Sequence, residues 1–303
     1  MIRAGTCSWT DKTLINSGEF YPKETSTAES RLRYYADHFD TVEVDSTYYA
    51  IPNIRNVYLW VERTPDNFTF HIKVYGALTG HGIDPKTLPK DILNLLSVKD
   101  RSAKYIYIKE SSILKTIAER FIETLYPLAK AGKLGVIVFQ FPPWFQYRTQ
   151  NLDSILTCKT LMKNLHVAVE FRHSSWLTPG RVDSVLHFLR ENQFTYITAD
   201  EPQYSNHATI PFLPDVTSDI AYFRFHGRNK QNWLKEGVET SERYDYLYSD
   251  GELREFIKPI HDASKRAKSA FAMFNNCHGG SAVKNALRPR ELIKEQSNHG
   301  EET

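Results

Sequence analysis

The sequence predicts an α/β fold in which eight parallel strands close into a (β/α)8 barrel, and three observations carry that prediction. Eight short strand-like runs alternate with amphipathic helical stripes along the 303 residues. The runs end in polar or charged residues, as barrel strands do at their working end. No glycine fingerprint of the dinucleotide-binding type follows the first run, which argues against an open doubly wound sheet. Barrels of about 250 residues routinely fold as one unit. Residues 1–290 are therefore expected to be a single domain, followed by a polar, aperiodic tail over 291–303 that should fray.

The first strand, 2–8, ends at Thr6, Cys7 and Ser8 and leads to Ser26-Thr27-Ala28-Glu29, a capping-box pattern. The helix it opens carries Leu32, Tyr35, Ala36 and Phe39 on one stripe. The second strand, 41–45, places Thr41, Glu43 and Asp45 on one face. Pro52 and Asn53 precede a helix with Val57, Trp60 and Val61. The third strand, 68–75, sets Thr69, His71 and Lys73 opposite Phe68, Phe70 and Ile72. A long insertion over 76–109 follows, with a short helix near 92–96 and an apolar run at 105–108. Its length suits either a functional lid or an elaboration that covers the barrel.

A helical stripe through Leu114, Ile117, Phe121 and Leu125 leads to the fourth strand, 135–140, which stops at Phe141-Pro142-Pro143-Trp144. The fifth strand begins VAVE at Val167 and runs into Phe171-Arg172-His173, before Thr178 and Pro179 open a helix. The sixth is 196–200. Residues 201–219 carry prolines and no helical period, so the sixth helix should be weak or absent. The seventh strand is 220–226. The helix after it holds Leu253, Phe256 and Ile260, and Pro259 should kink or split it. The eighth strand is 270–275, and Gly279-Gly280 opens the last helix.

Composition narrows the function classes. An apolar share of 41% is enough for a large core, and 38 basic against 36 acidic residues leave a charge of only +2. A broad surface for duplex nucleic acid normally carries more excess than this. Three cysteines at no metal-like spacing, a start that enters a strand directly, and no long apolar run point to a cytoplasmic protein without a membrane span. Cys7 and Cys277 end the two strands that meet on closure, so two neighbouring free thiols are expected.

Buried parallel strands should be apolar nearly throughout, and the last inward positions break that rule. They are Glu43, Lys73, Gln140, Glu170, Asp200, Arg224 with His226, and Asn275, and Arg172 shares the face of Glu170. Left without partners such groups would each cost several kcal/mol, roughly 2–7 for a neutral amide and more for a charge. They must pair with one another, with water or with a ligand. Carboxylates beside cations suit a general acid/base pair with an anion clamp, and equally an ion network that closes the top of the barrel. Carboxylates and one histidine leave a divalent metal open, although no histidine cluster suggests one and no other cofactor is indicated. After strands seven and eight, Arg228 and Asn275-Asn276-Cys277-His278-Gly279-Gly280 resemble the place where barrels bind phosphate. Trp9, Tyr48, Tyr49, Trp144, Phe145 and Trp176 also follow strands and could stack on a sugar or a base.

The segments GTCSWTD, FDTVEVDSTYYAIP, FTFHIKVYG, GVIVFQFPPWF, VAVEFRHSSW, AYFRFHGR, RYDYLYS and FNNCHGGSAVKNA resemble, in order from Gly5 to about Leu287, the blocks of the YecE-like family, known as domain of unknown function 72. The resemblance implies a TIM barrel. It implies no activity, substrate or cofactor, and points to Glu43, Lys73, Gln140, Glu170, Arg172, Trp176, Arg224, His226, Asn275 and Asn276. The expected function is acid/base catalysis (hydrolysis, elimination or isomerisation) on a small anionic molecule such as a phosphorylated sugar or nucleoside. Catalytic groups are sought among Glu170, Asp200, His226, Lys73 and Glu43. Binding groups are sought among Arg172, Arg224, Arg228, Gln140, Trp176, Asn275, Asn276 and Gly279. A nucleic-acid-binding barrel and a noncatalytic sensing or docking barrel are the alternatives, with oligomeric state open.

Overall fold

The computed structural model describes residues 2–204 and 209–289, so the tail expected over 291–303 lies outside the described residues. Eight parallel strands form the barrel: β1 Ile2–Thr6, β2 Thr41–Val44, β3 Thr69–Lys73, β4 Leu134–Gln140, β5 Val167–Glu170, β6 Thr195–Asp200, β7 Ile220–Phe225 and β8 Ser269–Phe274. They are laddered in the order β1-β8-β7-β6-β5-β4-β3-β2. Around them run α1 Lys12–Ser17, α2 Ala28–His38, α3 Ile54–Glu62, α4 Lys90–Leu93, α5 Val98–Ser102, α6 Ser111–Lys130, α7 Thr149–Met162, α8 Val182–Glu191, α9 Thr240–Arg243, α10 Asp250–Arg266 and α11 at 281–289. As the prolines implied, the described part of 201–219 holds no helix.

The seam between β1 and β2 has no regular ladder, and sequence explains how it still closes. A Cβ on Gly5 would sit 2.4 Å from the Thr41 carbonyl oxygen, so only glycine lets the two backbones approach this closely. Tyr35, fully buried on α2, plugs the seam. Its hydroxyl accepts from the Thr6 amide at 2.9 Å and donates to the Thr41 carbonyl at 3.2 Å. The barrel interior is a separate small core of Cys7, Val136, Val138, Ala168, Ile197, Tyr222, Phe271 and Met273. The larger core lies between the strands and the helices.

Several expected local features moved. The capping box of α2 is Thr27 with Ser30, one residue later than the Ser26–Glu29 pattern, with reciprocal bonds of 3.0 and 3.1 Å. The helix after β5 begins at Val182, beyond Thr178 and Pro179. α10 runs unbroken through Pro259, held by the burial of Leu253, Phe256 and Ile260 on its inner face. The 76–109 insertion folds as short turns and the helices α4 and α5, pinned by an antiparallel bridge between Ile83 and Ile106. Its apolar run therefore docks within the insertion rather than joining the barrel.

Candidate active site

Because the strands all point one way, their inward terminal residues meet at the C-terminal mouth. β2 delivers Glu43 and, just past its end, Asp45. β3 delivers Lys73, β4 Gln140, β5 Glu170 followed by Arg172, β7 Arg224 followed by His226, and β8 is followed by Asn275. At the centre lies Arg224, which has no exposed surface. Its Nη2 donates to Glu43 Oε1 at 2.7 Å and reaches Asp45 Oδ1 at 3.4 Å. Its Nη1 donates to Glu170 Oε2 at 2.5 Å and to Gln140 Oε1 at 3.3 Å. The other oxygen of Glu43 accepts from the Tyr222 hydroxyl at 2.8 Å.

Glu170 passes the network on. Its Oε1 lies against Arg172 Nε and 3.2 Å from His226 Nε2. The Asn275 amide donates to His226 Nδ1 at 3.0 Å, which leaves the imidazole proton on Nε2, pointed at Glu170. Arg172 Nη1 donates to Glu201 Oε2 at 2.9 Å, and the other Glu201 oxygen accepts from the Ile210 amide at 2.8 Å. At the opposite end Lys73 Nζ stands 3.8 Å from Asp45 Oδ1. Charge thus alternates across the mouth from Lys73 through Asp45, Arg224, Glu170 and Arg172 to Glu201.

Burial sorts the carboxylates into different protonation states. It pushes Glu43 up to about 8, with Arg224 opposing and Asp45 adding to the rise. It pushes Glu201 up to about 7 against the pull of Arg172. Glu170 is buried as deeply, but Arg172, Arg224 and His226 together outweigh that burial and hold it well below the usual carboxylate range. Burial also keeps His226 neutral, down to about 3, with Arg172 lowering it further and Glu170 opposing.

Over Arg172 and Glu201 opens a cleft of about 180 Å³, lined also by Gln140, Trp233, Arg243 and Tyr244. The Arg172 guanidinium lies 5.6 Å from the centre of the Trp233 ring, and Tyr244 meets that ring edge-on at 5.5 Å. Arg243 donates to the carbonyls of Trp233 and Lys235, at 3.2 and 3.0 Å. A wider cavity of about 550 Å³ lies outside the barrel against α10, lined by Ile2, Leu253, Phe256 and Ile257 and by no carboxylate. That cavity holds none of the carboxylates gathered at the mouth, so volume and titratable groups do not coincide.

Six expected site residues take other roles. Asp200 pairs in register with Phe225, an outward residue, so it faces the helices rather than the mouth. There it accepts a two-pronged bond from Arg228, at 2.9 to 3.1 Å, and another from the Tyr248 hydroxyl at 2.6 Å. Arg228 also reaches Glu252 and Glu255 of α10, so the pair ties β6 and β7 to that helix. Trp176 is fully buried, stacked on Phe171 and Phe145, and offers no face to a ligand. Asn276 is bonded to the Tyr246 carbonyl and to Asn285, both at 2.8 Å. The Gly279 amide donates to Thr13 at 2.9 Å, so it is not free for a phosphate. Arg224 stays at the mouth, but beneath it, its charge shared among carboxylates rather than offered to a ligand.

The residue that strand six does send inward is Glu201, one place later than Asp200. Its register partners explain this, since Ala199 pairs with the inward Arg224. Asp45, Tyr222, Trp233, Arg243 and Tyr244 complete the site. Of these Asp45 carried a signal in sharing the face of Glu43, and Tyr222, Arg243 and Tyr244 lie in the family-like blocks AYFRFHGR and RYDYLYS, whereas Trp233 carried none. Cys7 and Cys277 are free, and burial pushes both thiols well up. Among the described residues no three histidine, cysteine, aspartate or glutamate side chains are grouped as metal ligands, and no helix is long and apolar enough to cross a membrane.

Residues 3–303 match the family model described as protein of unknown function DUF72. A relative, the UPF0759 protein YunF of Bacillus subtilis (strain 168), is 32% identical over 296 residues, covering 97% of this chain and 95% of that protein. Two solved structures are similar throughout. One is a DUF72 family protein (EF0366) from Enterococcus faecalis V583, with a TM-score of 0.79 and 31% identity over 97% of this chain and 96% of that one. The other is a DUF72 family protein (TM1631) from Thermotoga maritima MSB8, with a TM-score of 0.76 and 30% identity over 97% and 99%.

Proposed function

This chain belongs to the DUF72 family, and we propose that it is an enzyme performing acid–base chemistry on a small molecule with an anionic group, bound at the C-terminal mouth of the barrel. The observation that carries this reading is the Glu201–Arg172 pair on the wall of the cleft. A carboxyl group raised to about 7 can both give and take a proton near neutral pH, which is what a general acid/base requires. Glu170 and Asp200 are the sequence-based candidates for the general base, and this reading gives the role to Glu201 instead.

Charge supports an anionic ligand. In the network and the cleft lining, the cations Lys73, Arg172, Arg224 and Arg243 face the carboxylates Glu43, Asp45, Glu170 and Glu201. With Glu43 protonated and Glu201 about half protonated at neutral pH, between one and two positive charges are in surplus. Arg243, which among the described residues meets only the Trp233 and Lys235 carbonyls, stands where that surplus can be used, beside Arg172 on the cleft wall, and a guanidinium is suited to carboxylate or phosphate. A cleft of about 180 Å³ is below the ~300–1,000 Å³ of drug-sized sites, so it takes a small molecule or one end of a larger one. His226 and Asn275 act through Glu170, fixing its orientation and its charge.

A thermal-shift panel tests the reading, because a ligand that binds only the folded state must raise the melting temperature. Phosphorylated and carboxylated metabolites are compared with oligonucleotides, at low and moderate salt, with and without divalent cations. A metabolite shift that survives moderate salt and is lost in Arg243→Ala is the expected result. An oligonucleotide shift that vanishes with salt would favour nucleic acid instead. No shift anywhere would leave a noncatalytic docking barrel.

A further inference from the structure

Beside the Glu201 cleft, a second group of side chains at the mouth shares the ion network but does not line that cleft. Asp45 is 24% exposed in its side chain, and it stands between Arg224 below and Lys73 beside it. The Lys73 ammonium lies 5.0 Å from the centre of the Tyr48 ring. From Tyr48 an arc of rings continues in both directions. Tyr49 meets it edge-on at 5.0 Å, and His81, from the insertion, at 5.2 Å. His81 in turn meets Trp144 at 5.6 Å. The outer members remain in solvent, with Tyr49 60% and Trp144 61% exposed.

The arc and the cleft adjoin. Pro143, next to Trp144, lines the cleft. Single exposed aromatics are unremarkable, but here Tyr49 adjoins the Tyr48 ring beside the Lys73 ammonium, and Trp144 joins the same arc through His81, so exposed rings and a half-open carboxylate–ammonium pair share one patch. A carboxylate accepts and an ammonium donates, which matches the neighbouring hydroxyls of a sugar. Aromatic faces match the apolar C–H side of its ring.

We propose that Asp45, Lys73, Tyr49 and Trp144 form a second subsite for the hydroxylated ring of a sugar, so that the substrate is a sugar whose anionic group enters the Arg172–Arg243 cleft. The placement of the anionic group rests on the function proposed above, whereas the ring subsite rests on the arc alone.

The test is calorimetric titration of the full chain with inorganic phosphate, methyl pentosides and hexosides, pentose and hexose monophosphates, and a nucleoside monophosphate. The variants are Trp144→Ala, Asp45→Asn and Arg243→Ala. A sugar phosphate should bind at least about tenfold more tightly than inorganic phosphate, a difference of ~1.4 kcal/mol. Trp144→Ala and Asp45→Asn should each remove most of that gain while leaving phosphate binding in place. Trp144 is exposed, so its variant reads binding even if Asp45→Asn disturbs folding. Arg243→Ala should weaken phosphate and sugar phosphate alike and leave neutral glycosides untouched. If glycosides bind through Asp45 and Trp144 but a phosphate group adds nothing, the ring subsite stands and the anionic reading falls. Sugar phosphates binding no better than inorganic phosphate, or not at all, would overturn the subsite. So would a gain that survives Trp144→Ala, or one that only the nucleobase provides.

Discussion

Arg224 and Glu43 meet at 2.7 Å in the barrel interior with no exposed surface on either side chain, and the same guanidinium also holds Glu170. Burial keeps Glu43 protonated at neutral pH, so the buried ion pair is Arg224 with Glu170, and such a pair is not strong evidence for stability in itself, because desolvation offsets most of the attraction. Its removal on one side is another matter, since a buried charge is then left alone. Arg224→Met should destabilise the fold by ~3–5 kcal/mol. Urea unfolding followed by tryptophan fluorescence reads this directly, and a loss within about 1 kcal/mol of zero would show that the network is not held as described.

Asp200 and Glu201, adjacent in sequence, should separate stability from binding. Asp200→Asn weakens the bonds to Arg228 and Tyr248 that anchor α10, so it should lower stability by ~1–3 kcal/mol and leave ligand affinity in the cleft unchanged. Glu201→Gln keeps the shape and removes the proton-exchanging group. It should abolish turnover of whichever ligand the panel identifies while the protein stays folded. The reverse pattern, with Asp200→Asn inactive and Glu201→Gln active, would restore the sequence-based assignment.

Strand six shows why the sequence could not distinguish these two residues. A strand buried on both faces reads as apolar on both, so TYITADE has no alternation from which to choose the inward set. Strands two and three did have it, and strand five shows it only at its end, in Glu170-Phe171-Arg172. Glu43, Lys73 and Glu170 were legible because a charge at the end of an apolar strand has few places to go. The barrel itself was legible for the same reason, from eight runs with a common ending. Trp176, Asn276 and Gly279 were misjudged from proximity to strand ends, which says nothing of what the loops beyond have already satisfied. Thr13, which takes the Gly279 amide, comes from the far end of the chain. Trp233 sits in a polar loop without periodicity, and Arg243 and Tyr244 open the block RYDYLYS with no pattern that shows which of its residues turn toward the mouth, so tertiary contacts single all three out.

The seam offers a test of the fold independent of function. Tyr35→Phe removes the hydroxyl that bridges β1 and β2, leaving the Thr6 amide and the Thr41 carbonyl without that partner. A loss of ~1–3 kcal/mol is expected, with unchanged binding at the mouth. A neutral result in thermal unfolding would mean that the seam is held by other contacts.

The pH dependence of stability follows from the shifted groups. His71 and His226, both lowered to about 3 by burial, stay neutral in the fold while the unfolded chain takes up protons below about 6.5. Their contribution is present above that value and is lost as pH falls toward 3. Glu43 and Glu201 are raised to about 8 and about 7, so the fold holds protons that the unfolded chain has released. Their contribution is present at low pH and is lost as pH rises through 7 and 8. Above about 6.5 only the glutamates of this set act, each with a slope of up to ~1.4 kcal/mol per pH unit. The melting temperature should therefore fall between about pH 6.5 and 8.5, and Glu43→Gln should flatten part of that decline. A flat wild-type profile over this range would contradict the assignment.

Carbon-13 titration of the glutamate side-chain carboxyls tests the central assignment most directly, with Glu201→Gln used to identify the resonance. A carboxyl that titrates at about 7 in the wild type and is absent from the variant is the predicted result. If the resonance lost in Glu201→Gln titrates in the ordinary range, at about 4 to 5, Glu201 is not a neutral-pH acid/base and the proposed chemistry of the cleft fails.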